Sequence, residues 1–154
     1  MKTLRIIFLT FLTFFFIQAK TQYITPGNQL SLTLDQLVSL SGGVVTFSNG
    51  TYFVNNTLTV AATDTLRITE PAVVRVANGI RLEFSGTLIS DPVTGQVIFT
   101  AADTTTSATN FKGFRFEDAP ANLFRNTVVS YGGGIQLIAS DAVFDQCVFR
   151  KNGS

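Results

Sequence analysis

The chain has 154 residues, of which eleven are basic, ten acidic, one cysteine and none histidine. Histidine metal sites, histidine-dependent triads and internal disulfides are excluded by that inventory, and a formal charge of +1 supplies no basic stripe for nucleic acid. Charged residues make up 14%, against about 25% in ordinary domains, and Thr, Val, Ile, Phe and Gly take their place, a composition suited to pleated, half-buried strands.

Lys2 and Arg5 precede an apolar run, IIFLTFLTFFFI, from Ile6 to Ile17, and Ala19 offers a small residue for cleavage. Residues 1–19 therefore read as a signal peptide. The run is shorter than the roughly 20 apolar residues of a membrane span. An uncleaved anchor is the alternative; after cleavage no span is expected. Losing Lys2 and Arg5 takes the formal charge from +1 to −1. The remaining length is that of one domain, exported to the cell surface or beyond.

Residues 20–43 read as an N-terminal cap region. Leu30, Leu32 and Leu34 alternate as in a strand, and Leu34, Leu37 and Val38 then fall at helical spacing. Thr33 with Gln36 three residues later matches a capping box, and Gly42-Gly43 provides a stop. A short strand leading into a helix of about two turns is expected; a plain strand and loop is the other reading.

From Val44 onward come short apolar runs broken by Gly, Asn, Asp, Ser or Pro, among them VVTF, TYFV, LTV, VVRV, IRLEF, QVIFT, FRFED and GIQLIAS. They stand too close together for crossover helices, so the region is all-β. The runs also repeat. LTV at Leu58 matches IRL at Ile80, TLRIT at Thr65 matches TLISD at Thr87, and VRV at Val74 matches VIF at Val97. GFRFEDAPA at Gly113 matches GIQLIASDA at Gly134, and FRNTVVSYGG at Phe124 matches FDQCVFRKNG at Phe144. Three short strands recurring every 20 to 23 residues describe a three-sided coil stacked on its neighbour at about 4.8 Å. Residues 44–154 thus read as a parallel β-helix of about four to five coils, a solenoid in which each coil buries its core against the next. Ile80, Phe114 and Ile135 are expected to share an inward column. The span from IRLEF to FRFED is longer than one coil, and the excess is placed in a Thr-rich corner loop, AADTTTSATN, from Ala101 to Asn110.

The stretch from Phe111 to Gly153, with its recurring Gly113–Phe116 and Gly134–Leu137 strands, Gln146-Cys147-Val148-Phe149 and the Asn152-Gly153 turn, resembles the right-handed parallel β-helix repeat family, which shares its fold with pectate lyases. LRITEPAVVRV resembles the entry coils of secreted bacterial members. The resemblance implies a right-handed parallel β-helix with a short N-terminal capping helix. It also implies a long secreted protein carrying a sorting domain for type IX secretion. No closing cap is visible before Ser154, and an uncovered apolar column through Phe144 and Phe149 is expected there, so the repetitive region reads as C-terminally incomplete.

Two functions from different classes follow. One is a non-enzymatic scaffold of a larger secreted or cell-surface protein, presenting flat sheets for adhesion or glycan binding, with an extracellular polysaccharide or another surface protein as partner. The other is the N-terminal part of a polysaccharide lyase or glycoside hydrolase whose catalytic coils lie beyond Ser154. Catalytic members of this fold use clustered Asp, and here the acids are scattered, so no catalytic, cofactor or metal residues are assigned. The candidate surface-binding residues are Arg81, Glu83, Arg115 and Glu117, with Glu83 over Glu117 and Arg81 over Arg115. That group reads as a charge lattice on a solvated sheet, or as a face for an anionic glycan or calcium. Glu117-Asp118 alone is a poor calcium site, since that ion takes six or more oxygens. Cys147 reads as a small core residue rather than a reactive thiol. Asn49-Gly50-Thr51 and Asn55-Asn56-Thr57 match the N-glycosylation tripeptide.

Overall fold

A computed structural model describes residues 22–106 and 110–153; the expected signal peptide lies outside them. The chain enters through β1 (Tyr23–Ile24), β2 (Ser31–Leu32) and α1 (Leu34–Leu40), followed by β3 (Val45–Ser48) and β4 (Thr51–Val54). Four triplets of strands follow. They are β5 (Leu58–Val60), β6 (Thr65–Ile68) and β7 (Ala72–Val76); then β8 (Arg81–Phe84), β9 (Thr87–Ser90) and β10 (Val97–Ala101). The last two are β11 (Gly113–Glu117), β12 (Asn122–Arg125) and β13 (Thr127–Ser130), and β14 (Ile135–Ile138), β15 (Ala142–Asp145) and β16 (Val148–Arg150).

Each triplet contributes one strand to each of three sheets, in the same rotation. The first sheet runs β1-β5-β8-β11-β14, the second β2-β6-β9-β12-β15 and the third β3-β4-β7-β10-β13-β16. Pairing is parallel throughout except between β3 and β4. The all-β expectation is met, with α1 the one α-helix among the described residues.

α1 forms where the sequence places it. The Gln36 N–H donates to Thr33 Oγ1 at 3.3 Å and the Thr33 N–H to Gln36 Oε1 at 2.8 Å, closing the capping box. Gly42 and Gly43 follow with φ of 60° and 92°, a left-handed exit that glycine takes without a Cβ clash. Leu34 and Leu37 are buried, and α1 packs on β3 and β6.

The final two triplets keep the predicted register. Phe114 pairs with Ile135, Phe124 with Phe144 and Val128 with Val148. Their corners explain the sequence repeat. Asn126 and Gln146 have φ of 47° and 53°, and Tyr131 and Lys151 have 55° and 53°. Successive rungs therefore turn through left-handed residues at equivalent places, a local cost of about 1–2 kcal/mol each for non-glycine side chains. Thr65 also faces Thr87 as expected.

Earlier rungs depart from the expectation by two residues. Leu58 pairs with Leu82, not Ile80; Val74 pairs with Phe99, not Val97; and Phe114 pairs with Leu82. Strand side chains alternate, so a slip of two keeps every residue on its expected face while changing its partner. The inward column is therefore Leu58, Leu82, Phe114 and Ile135, with Ile80 packed beside it. The other correction is the hairpin. Asn49 and Gly50, both left-handed at 50° and 74°, join β3 to β4 with Ser48 opposite Thr51. That is the two-residue turn Asn-Gly favours, so Asn49 serves the turn and β3 runs antiparallel to its neighbour.

The core is a stack of aromatic and branched side chains between the three sheets. Phe99, Phe114, Phe116 and Phe124 are all at most 2% exposed. Phe99 and Phe124 meet Phe114 edge-on at 5.0 and 5.6 Å, and Phe84 stacks on Phe116 at 4.8 Å. Several buried polar groups are satisfied from neighbouring rungs, whereas Asn110 Oδ1 and Arg115 Nε are buried without a partner among the described residues. Asn122 Oδ1 accepts from the Leu88 N–H of the rung before, and its amide donates to Asp141 O of the rung after. Ser90 and Thr127 share a buried hydroxyl pair at 2.7 Å. On the last rung Phe144 and Phe149 are 42% and 47% exposed, with their rings edge to face. The Thr-rich segment after β10 is irregular at its described positions.

Candidate functional site

The four candidate residues all lie on the first sheet, but their stacking differs from the expected one. The outward column runs Thr59, Glu83, Arg115 and Gln136, so Arg115 faces Glu83 directly. Arg81 faces Gly113, and Glu117 faces Ile138. The two-residue slip is the reason: it replaces the expected like-charge columns with an acid beside a base, the arrangement cross-strand electrostatics favours. Arg115 also donates to Glu117 at 2.9 Å, and Thr59 Oγ1 lies 3.4 Å from Glu83 Oε2. Thr59, Glu83, Ser85, Arg115 and Glu117 line a shallow hollow of about 180 Å³ with Phe84 at its floor; Arg81 lies outside it. The Arg115 guanidinium can donate to a hydroxyl-rich ligand and the Glu83 and Glu117 carboxylates can accept from it, and the pair of acids against one base gives the hollow net negative character.

The second sheet carries a ladder that sequence reading missed. Arg125 Nε lies 2.9 Å from Asp145 on the next rung, and its Nη1 lies 3.2 Å from both oxygens of Asp91 on the rung before. The hydrogen bond to Asp145, reinforced by the charge of Asp91, raises the Arg125 pKa above its usual value. The three residues are 34 and 20 apart. Only the uneven lengths of the intervening corners bring them into line.

A third feature lies where α1 meets the hairpin. Tyr52 on β4 donates its hydroxyl to Asp35 Oδ1 at 2.7 Å. Partial burial, then that bond and the Asp35 charge, push the Tyr52 pKa up to about 12. Phe47 on β3 faces Tyr52 across the hairpin, with centroids 4.6 Å apart and rings tilted by 47°. A cleft of about 140 Å³ opens here, lined by Asp35, Tyr52, Arg67, Thr69, Glu70 and Pro71 among others. The one sequence signal for this site was the Asn49-Gly50 turn between two apolar runs.

The remaining candidates sort by their contacts. Cys147 is a free thiol packed against the core, and its Sγ lies 3.2 Å from Phe124 O. Asn55 turns its amide inward to Gly43 O and Thr46 Oγ1. Glu117 is engaged by Arg115, and Asp118 sits at a left-handed corner with φ 53°. Among the described residues no group of three or more His, Cys, Asp or Glu gathers around a common point. None of their helices is long and apolar enough to cross a membrane. Asp64 is buried and holds the entry segment. Its carboxylate accepts from the Gly27 and Leu30 N–H groups at 2.8 and 2.9 Å.

The chain was compared with protein-family models, curated proteins and solved structures. None of the three gives a match.

Proposed function

We propose that this chain folds as a right-handed parallel β-helix of the pectate-lyase-like repeat type. In this reading the chain is exported by its leader, α1 caps the first coil, and the coils form a non-enzymatic scaffold of a larger secreted or cell-surface protein. Its flat sheets serve adhesion or glycan contact. The fold part is supported by the unvarying rotation through three parallel sheets, with partners 20 and 21 residues apart in the last two triplets.

The functional part rests chiefly on one observation, the outward column Thr59–Glu83–Arg115–Gln136. It spans four successive rungs and keeps hydrogen-bonding groups at the regular strand spacing of about 4.8 Å. Glu83 in the column and Glu117 beside it both neighbour Arg115 on this face, an arrangement of a charge lattice rather than of the two carboxylates converging on a single bond that a hydrolase would need. Deleting residues 44–154 from the full-length protein and measuring attachment to the producing cell's surface and to extracellular polysaccharide tests this. Attachment is expected to fall; undiminished attachment contradicts the scaffold. Release of unsaturated uronides or new reducing ends by the full-length protein would replace it with an enzyme.

A further inference from the structure

One interior column of the third sheet does not stay inside. Its register runs Phe47, Tyr52, Val74, Phe99 and Val129. Val74, Phe99 and Val129 are at most 2% exposed, whereas Phe47 is 51% exposed. The core thus surfaces beside α1 as an aromatic pair. The cleft under Tyr52 adjoins a second hollow of about 270 Å³, and Tyr52, Pro71 and Ala72 line both. Together they make a trough with an aromatic wall and polar ends.

We propose that this trough is a saccharide subsite in which a neutral sugar ring stacks on the Phe47–Tyr52 pair while Asp35, Arg67 and Gln96 engage its hydroxyls. The inference rests on the glycan-contact reading above and moves the contact from the first sheet's face to the α1 end of the molecule. Three observations favour this ligand. A pyranose has an apolar face of C–H groups and a rim of hydroxyls, matching an aromatic surface bordered by a few placed polar groups. The side chains of Arg67 and Glu70 make no hydrogen bond or ion pair among the described residues, so both are free to meet a ligand. Asp35 is bonded through Oδ1 to the Tyr52 hydroxyl. That bond fixes the ring in place before any ligand arrives and lowers the cost of ordering it on binding.

Charge selects among sugars. Asp35 and Glu70 outnumber Arg67 around the cleft, so a uronate or sulfated sugar meets net repulsion and an uncharged one does not.

Of the chain's three tyrosines only Tyr52 lines the trough, and the chain has no tryptophan, so the ligand-dependent part of its tyrosine emission that Tyr52→Ala abolishes reports on the site. This chain titrated with neutral gluco-, xylo- and manno-oligosaccharides is expected to change its tyrosine emission with at least one of them, and not with oligogalacturonate. Calorimetry on Phe47→Ala should then show binding weakened by about tenfold or more. Phe47 is half exposed, so this variant keeps its fold, which its thermal midpoint checks; Tyr52→Ala serves as the second variant. Binding unchanged in Phe47→Ala but lost in Arg115→Ala would put the sugar on the first sheet, overturning the subsite while leaving glycan contact standing. Binding to no neutral oligosaccharide, or only to oligogalacturonate, would also overturn it; the scaffold itself is judged separately by the deletion.

Discussion

Phe114 is the residue on which the stacked core depends most. Its side chain is 1% exposed, and it meets Phe99, Phe124, Phe111 and Phe84 at centroid separations of 5.0, 5.6, 6.0 and 6.4 Å. Truncation to alanine removes a buried ring and leaves a cavity that neighbours held by the sheets cannot fill, which costs about 3–5 kcal/mol. Each lost aromatic pair adds about 0.5–1.5 kcal/mol beyond area, so Phe114→Ala belongs at the upper end, about 5 kcal/mol. Phe144 is the control. It stacks on Phe124 at 5.1 Å but is 42% exposed, so Phe144→Ala should cost about 1–2 kcal/mol. Urea denaturation followed by far-ultraviolet circular dichroism separates the two. With a slope of about 1–3 kcal/mol per molar, Phe114→Ala should lower the midpoint by about 2 M or more and Phe144→Ala by about 1 M or less. Equal shifts for the two variants would refute the reasoning, because they would mean that the rungs do not bury the first ring more deeply than the second.

Three more predictions follow from single contacts. Hydrogen bonds lower the pKa of Asp64, overcoming the opposing effect of its burial. Its stabilisation is therefore complete above about pH 4, the unfolded carboxylate range, and is lost as pH falls below that. Asp64→Asn should cost about 1–3 kcal/mol at pH 7 and flatten the acid limb of a stability–pH curve; an acid limb identical to wild type would contradict this. Gly113 has φ 83°, and a Cβ there would lie 2.1 Å from Gly134 O. Gly113→Ala should accordingly yield little soluble folded protein, measured by expression and circular dichroism. Ala139, by contrast, turns a corner with φ 45°, and Ala139→Gly should raise the denaturation midpoint, stabilising by about 0.5–1 kcal/mol.

The sequence revealed most where structure is local or evenly spaced. The capping box at Thr33 and Gln36 involves residues three apart, and the helix is found where that pair puts it. The rungs from Phe114 onward were placed correctly because their offsets stay at 21 or 20 residues, and the sequence match followed that one-residue change. Upstream, Leu58 to Leu82 spans 24 residues while Thr65 to Thr87 spans 22. A single period cannot describe both, and the parity of strand side chains hid the error. Face assignments survived it; the expected stacking of Glu83 over Glu117 and Arg81 over Arg115 did not, because Arg115 lies opposite Glu83. The left-handed corners at Tyr131 and Lys151 carry no propensity signal, since neither residue type favours that region. The bond between Asp35 and Tyr52 joins a helix to a hairpin and has no periodicity to announce it.

Side-chain nuclear Overhauser contacts between Phe114 and its neighbours test the stacking most directly. The account predicts contacts from the Phe114 ring to the Leu82 methyls on one side and to the Ile135 methyls on the other. Contacts to only one of them, or to neither, would contradict it.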